Sequence, residues 1–251
     1  MGFRGKVALI TAAGSGIGRV TAEIIGSEGG VVVGVDTDKG RLGEVVDGIR
    51  QGGGRAEAQV ADALDGTQVT AAVDAVVRAH GRIDILVNAV GGSTIIERAA
   101  AAADELTLEE WRRVIAFNLD GTFLFCHAVI PVMKRQGAGK IVNISSIAGR
   151  GVSTSSSSAY AAAKGGIIAF TRKLSLELAP FGITVNAIAP SLTLSERLRQ
   201  RRTREQLAAE SARTPLGRVA EPADQARVIC FLASRDADFV TGVTIDVTGG
   251  L

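Results

Sequence analysis

The chain has little of what most catalytic machineries are built from. Its 251 residues include only 2 cysteines, 2 histidines, 1 tryptophan and 1 tyrosine. Cys126 and Cys230 lie inside apolar runs without CxxC spacing, which argues against a disulfide framework or a thiolate metal site and for a reducing compartment. His80 and His127 stand outside any HExxH pattern, so histidine-held zinc and Ser-His-Asp hydrolysis are poor fits, and no metal site is expected. Aromatics are 4% of residues and the net charge is +2, too little stacking surface and basic excess for nucleic acid. No stretch of about 18 residues is uninterruptedly apolar, so no membrane partner is expected. The opening MGFRGKVALITAAG has no long apolar run or cleavage site, and Lys6 stands where a myristoylation signal needs Ser or Thr. The expected location is cytoplasmic.

What is present is a chain 46% hydrophobic and 22% charged, which excludes intrinsic disorder and suits one large α/β domain over 1–251. Short β-branched runs mark strands at Val7–Thr11, Val31–Asp36, Ala56–Val60, Ile83–Asn88, Lys140–Ile144, Ile183–Ala189 and Val243–Val247. Helices are expected to start near Ile17, Gly40, Gly66, Thr107, Ala159 and Pro222. Thr107 and Glu110 have capping-box spacing, and Pro222 suits a first helical turn. Such βαβ alternation implies a parallel sheet with helices on both faces and ligands at the carboxyl ends of the strands. Three irregular segments, Gly91–Asp104, Ser153–Ser158 and Pro190–Thr214, each follow a strand, so all three should overhang that edge and enclose a substrate.

The first strand runs into Thr11-Ala12-Ala13-Gly14-Ser15-Gly16-Ile17-Gly18 and then a helix. Glycines there let the backbone come close to a pyrophosphate, whose charge suits the helix N-terminal amides. Asp36 follows Gly18 by 18 residues, at the end of the second strand. A carboxylate so placed accepts hydrogen bonds from an adenosine ribose and repels a 2′-phosphate, which favours NAD(H) over NADP(H). Lys39 and Arg41 are near, but Thr37 is neutral.

Tyr160 and Lys164 are four apart on an expected helix and share a face. A tyrosine of reference pKa near 10 must fall by about three pH units, roughly 4 kcal/mol, to serve as a base near neutrality. A lysine ammonium about 4 Å away contributes roughly that at an effective dielectric near 20. Upstream, Asn143-Ile144-Ser145-Ser146 ends the fifth strand and offers a hydroxyl at the same edge.

Together, Thr11–Gly18, Asn88-Ala89-Val90-Gly91, Asn118, Ser146, Tyr160-x-x-x-Lys164, Asn186 through Pro190, Pro215–Arg218 and Thr241-Gly242 resemble the ordered motifs of the short-chain dehydrogenase/reductase family. The resemblance implies a Rossmann-type doubly wound parallel seven-stranded sheet, order 3-2-1-4-5-6-7, and hydride transfer between a nicotinamide cofactor and an alcohol or carbonyl. It implies Tyr160 as general acid/base, Lys164 lowering its pKa and holding the nicotinamide ribose, Ser146 at the substrate oxygen and Asn118 at a proton-relay water. It places Ser15, Gly16, Ile17 and Gly18 at the phosphates, Asp62 and Ala63 at the adenine, Asn88 near the adenosine ribose and Thr193 at the carboxamide. It also implies a homotetramer, with a dimer second.

The chain departs from the family pattern in places. Ala12 replaces a glycine, and a methyl group there is tolerated only where φ is negative. Ala89 and Val90 replace an Asn-Ala pair, Ser191 a glycine and Thr248 an aspartate. Ser146 and Tyr160 are 14 residues apart, one more than usual, so Ser145 stays an alternative substrate-orienting hydroxyl. Gly165 and Gly166 inside the Tyr160 helix each cost about 1 kcal/mol, so the cofactor or a neighbouring strand is expected to pack closely there.

The run Glu196–Glu205 carries five arginines, at 197, 199, 201, 202 and 204. It reads as a solvated helix face or as part of a substrate lid over 190–214 that attracts an acyl thioester. The substrate is therefore a small secondary alcohol or ketone or, alternatively, a 3-oxoacyl thioester. A non-catalytic NAD-binding scaffold is disfavoured because Tyr160 and Lys164 are both present.

Overall fold

The computed structural model describes residues 2–153 and 155–251, without the side chain of Arg197. Thr154, within the Ser153–Ser158 stretch, lies outside the described residues. Seven parallel strands form one sheet in the order β3-β2-β1-β4-β5-β6-β7. They are β1 (Val7–Thr11), β2 (Val31–Asp36), β3 (Arg55–Val60), β4 (Ile85–Asn88), β5 (Gly139–Ile144), β6 (Ile183–Pro190) and β7 (Thr244–Val247). Only β4 starts clearly late, at Ile85. Ile83 is held outside the ladder, its N–H and C=O both bonded to the Gln136 side chain.

Side chains alternate across the pleat, so β1 sends Leu9 to one core and Ala8 and Ile10 to the other. Helices α3 (Gly66–His80), α5 (Gly121–Gln136) and α6 (Ser158–Leu178) cover the first face with Val73, Phe125, Met133 and Leu174. Helices α1 (Gly16–Ser27), α2 (Lys39–Gln51) and α9 (Pro222–Ala233) cover the second with Ile25, Leu42 and Ile229. Burial on both faces explains the near-continuous apolar strands. Thr107 and Glu110 do form a capping box, and Pro222 does open α9.

The helix begun at α4 (Leu108–Ile115) runs through a π turn at Ala116–Asp120 into α5. By length and composition this 29-residue stretch, which contains an 18-residue window of mean hydropathy 1.5, is long and apolar enough to cross a membrane, which a search for unbroken apolar runs misses. Phe125, Cys126, Val129 and Met133 pack it against the sheet as a core helix. Because all strands are parallel, the segments after β4, β5 and β6 overhang one edge, as expected. The last contains α7 (Glu196–Arg201) and α8 (Arg204–Arg213).

The β1–α1 turn sets the geometry of that edge. A Cβ on Gly18 would stand 2.3 Å from the Ala12 carbonyl oxygen, so only glycine lets α1 start this close to β1. The expected negative φ at Ala12 is not found: its φ is +50°, the left-handed region. The chain must reverse at once so that Ala13 N–H can bond the Val35 carbonyl at 3.1 Å and Gly14 N–H can reach Asp36. A left-handed alanine costs about 1 kcal/mol or more. Ala12→Gly should therefore raise stability by about 1 kcal/mol in urea unfolding, and an unchanged midpoint would show that the turn is unstrained.

Candidate active site

Residues from six strand ends meet at the carboxyl edge. Ser15 is exposed and extended as the N-cap of α1, yet its hydroxyl makes no cap bond, so the hydroxyl and the first amides of Gly16, Ile17 and Gly18 remain available to an anion. Asp36 accepts from Gly14 N–H at 2.9 Å with Oδ2 and from Asp38 N–H at 3.0 Å with Oδ1, which locks the carboxylate beside the turn. Arg41 pairs with Asp38 at 3.4 Å, so that cation is already engaged. Asp62 is exposed just past β3 and caps Leu64 N–H at 2.9 Å, while Ala63 is buried. Thr193 lies past β6, its Oγ1 donating to the Ser191 carbonyl at 3.1 Å.

Asn88 differs from expectation. Its side chain is buried and donates to Asn143 Oδ1 at 2.9 Å and Cys126 Sγ at 3.3 Å, and Asn143 donates on to Thr171 Oγ1 at 2.9 Å. A polar residue at this β4 position faces α5 and must find partners inside the core, so only its main chain is left for an adenosine ribose. Asn143, polar within an apolar strand, was the available sign of this network. Thr11 Oγ1, also missed in the sequence, accepts from Ala89 N–H at 2.9 Å and ties the β4 loop to β1.

The catalytic candidates gather around one buried amine. Lys164 is 2% exposed, and its Nζ donates to the Ile144 carbonyl at 2.9 Å, lying 5.7 Å from the Tyr160 ring centroid. A Cβ on Gly91 would stand 2.7 Å from both Lys164 Nζ and Asn118 Oδ1. Asn118, in the π turn, clamps the same loop: it accepts from Gly92 N–H at 2.8 Å and donates to the Gly92 carbonyl at 3.2 Å. The two serines separate cleanly. Ser145 is buried and donates to the Lys164 carbonyl at 2.7 Å, whereas Ser146 Oγ accepts from Ala148 N–H at 3.1 Å and stands beside the Tyr160 phenol, whose pKa it lowers.

The protein neighbours of the helix glycines are a turn and a helix in place of a strand. Gly165 meets the Gly149 carbonyl of the turn after β5, and Gly166 meets Leu119 of the π turn. A Cβ on Gly149 would fall 2.6 Å from the Lys164 carbonyl carbon, so small residues let these segments close on Lys164.

Electrostatics revise the simple pairing argument. Burial pushes the half-exposed Tyr160 phenol up to about 12, with the Ser146 hydrogen bond acting against it. Burial also pushes Lys164 down to about 7. An amine mostly uncharged at mildly alkaline pH gives a phenolate little Coulomb support, so the lysine alone does not bring Tyr160 near neutrality.

A glycine turn that admits no side chain, an acidic strand end locked beside it and a Tyr-Lys pair on the same edge are the fittings of a Rossmann-type, nicotinamide-dependent oxidoreductase. Comparison with known proteins agrees. The family described as enoyl-(acyl carrier protein) reductase matches residues 11–251. A cyclohexanol dehydrogenase of Rhodococcus sp. (strain TK6) is 40% identical, covering 99% of this chain and 97% of its own. The 3-oxoacyl-[acyl-carrier-protein] reductase of Thermotoga maritima is 38% identical over 100% of this chain and 99% of its own. A solved 3-oxoacyl-[acyl-carrier protein] reductase with bound NAD from Brucella melitensis superposes with a TM-score of 0.89 at 35% identity, covering 99% and 91% of the two chains. The chain belongs to the short-chain dehydrogenase/reductase family, whose members act on CH–OH and carbonyl groups with a nicotinamide cofactor.

The Lys164 burial has a measurable sign. Between its folded pKa of about 7 and an unfolded value near 10.4, the unfolded chain holds a proton that the folded chain lacks. Stability should therefore rise with pH across that window, by about 1.4 kcal/mol per pH unit from this group, and be lost as pH falls. Lys164→Met should lack this slope in guanidinium unfolding, its advantage over wild type growing towards pH 7. Parallel profiles would mean that Lys164 keeps its charge when buried.

Proposed function

We propose that the chain is an NAD(H)-preferring dehydrogenase/reductase of neutral secondary alcohols and ketones, with Tyr160 as general acid/base. The observation that carries this reading is the Tyr160–Lys164 pair held under the β4 loop beside Ser146. Ser146 holds the substrate oxygen and Tyr160 moves its proton, while Lys164 and Asn118 connect that proton to the buried side of the site. Ser15, Gly16, Ile17 and Gly18 take the pyrophosphate, Asp36 and, through its main chain, Asn88 the adenosine ribose, Asp62 and Ala63 the adenine, and Thr193 the carboxamide. When bound, the oxidised nicotinamide accepts the hydride and adds the positive charge that the phenolate lacks in the chain alone.

A neutral substrate is supported by the surroundings of Tyr160. Tyr160, like Ile95 and Leu106, packs against a buried group of Ile96, Val114 and Ala159. Four arginines on the edge loops are already ion-paired: Arg98 with Glu105, Arg150 with Asp246, Arg199 with Glu221 and Arg218 with Asp224. The 3-oxoacyl-thioester reading keeps one specific support, since Arg201, Arg202 and Arg204 make no ion pair among the described residues; the side chain of Arg197 lies outside them. The cyclohexanol dehydrogenase and ketoacyl reductase relatives span both readings. Segment 190–214 serves as the substrate lid of a single domain over 1–251. A homotetramer is supported by the exposed apolar side chains Leu108, Phe123 and Leu176 on α4–α6, and a cytoplasmic location by two buried free cysteines.

Wild-type protein should oxidise cyclohexanol with NAD, followed by NADH absorbance, and Tyr160→Phe should bind NADH normally while turnover falls by about 10²-fold or more. Turnover of acetoacetyl-coenzyme A with NADH in place of cyclohexanol oxidation would select the thioester reading, and an active Phe variant would remove Tyr160 from the chemistry. Asp36→Ala should cut the preference for NADH over NADPH by about tenfold, and an unchanged ratio would remove Asp36 from the ribose site.

A further inference from the structure

The first part of the 190–214 segment is fastened to the cofactor edge at several independent points. Leu194 N–H donates to the Ala220 carbonyl at 2.8 Å, and Thr193 pairs with Ala220 in a parallel bridge. Ser195, the N-cap of α7, reaches over the glycine turn, its Cβ 3.7 Å from where a Cβ on Gly16 would stand. On α1, the Arg19 guanidinium is hydrogen-bonded first of all to Glu23 and also feels the carboxylate of Glu196, the first residue of α7. Arg199 then grips Glu221, one Nη2 bonding both carboxylate oxygens, 2.6 Å from Oε1.

Glu221 is not a mobile anchor. It is the N-cap of α9, its N–H donating to Asp224 Oδ2 at 2.8 Å, and Asp224 is itself forked by Arg218 at 2.6 and 2.8 Å. Helix α9 packs directly on α1, the helix that opens from the glycine turn. The Arg199–Glu221 pair therefore joins α7 to the rigid body beneath the pyrophosphate site. Beyond the tie of Thr193 and Leu194 to Ala220, little in this stretch holds the body of α7. Helix α7 has six residues, too few to persist alone, and α8 has no buried residue.

We propose that Arg199 and Glu221 are positioning residues that latch α7, and with it Ser195, across the pyrophosphate site, so that the pair sets how fast the cofactor escapes. This rests on the reading that this edge binds NAD(H). It reassigns one of the lid arginines from recognising an anionic substrate to holding the lid. Both partners are about half exposed, so the effect is that of a surface ion pair reinforced by a charge network, about three- to fivefold.

The arginine-rich lid supplies its own probe, because trypsin must draw the backbone around Arg201, Arg202 and Arg204 into an extended form, which a loosened α7 allows more readily. Glu221→Gln leaves every arginine in place and should be nicked there about threefold faster without cofactor. NADH should leave the variant faster by a similar factor in stopped-flow fluorescence. The reversed pair Arg199→Glu/Glu221→Arg should restore both rates, whereas Arg218→Gln, which loosens the Asp224 support beneath the anchor but leaves the Arg199–Glu221 pair, should raise both rates less than Glu221→Gln does. Equal nicking of wild type and Glu221→Gln, failure of the reversed pair to restore it, or an equal effect from Arg218→Gln would overturn the latch. Failure of wild-type protein to bind NADH would overturn the cofactor reading instead, with the nicking rates still judging the latch.

Discussion

A primary amine left with 2% of its surface in solvent is the constraint around which the site is organised. Taking Lys164 out of water is costly unless its donors find acceptors, and the Ile144 carbonyl at the end of β5 supplies one at 2.9 Å. Every neighbour has yielded space to this group. Gly91 has no side chain because a Cβ would strike the amine, and Gly149 has none because a Cβ would strike the helix that carries it. Ser145 uses its hydroxyl on the Lys164 carbonyl, which leaves Ser146 to face Tyr160. The π turn places Asn118 where its amide clamps Gly92 from both sides, holding the β4 loop over the amine. Destabilised in the free chain, the pair is poised for a ligand that brings charge and hydrogen-bond acceptors to it.

The cofactor side follows a related logic, with backbone in place of burial. Gly18 allows α1 to begin against the Ala12 carbonyl, and the reversal this demands leaves Ala12 at positive φ, strain held by the pairing of β1 and β2. Asp36 has two tasks there. Its bonds to Gly14 and Asp38 shape the turn, and in the proposed cofactor site the same carboxylate would take the adenosine ribose. Conformational strain and a fixed negative charge thus meet at one edge.

Much of this was legible in the sequence. Apolar runs of five to seven residues alternating with amphipathic stretches located the strands within one residue, except the start of β4, where the Gln136 side chain holds Ile83 outside the ladder. Cap signals at Thr107 and Pro222 were sound because they depend only on local geometry. The clustering of the candidate residues Tyr160, Lys164, Ser146 and Asn118 at one edge was legible because their spacing along one helix and their order along the chain are linear properties. The path of Asn88 was not, since whether a strand-end amide faces a ligand or the core depends on which helix lies beneath it. Nor was the reason for Gly165 and Gly166, whose neighbours Gly149 and Leu119 come from distant parts of the chain.

What the sequence by itself determined is therefore the parallel α/β architecture and the family, because hydrophobic period, turn chemistry and motif order act over short chain distances. Only the tertiary structure decided the protonation balance of Tyr160 and Lys164, the division of labour between Ser145 and Ser146, and the pairing of Arg199 with Glu221. Desolvation and ion pairing depend on which atoms lie within a few ångströms, and in this fold those atoms come from segments far apart in the chain.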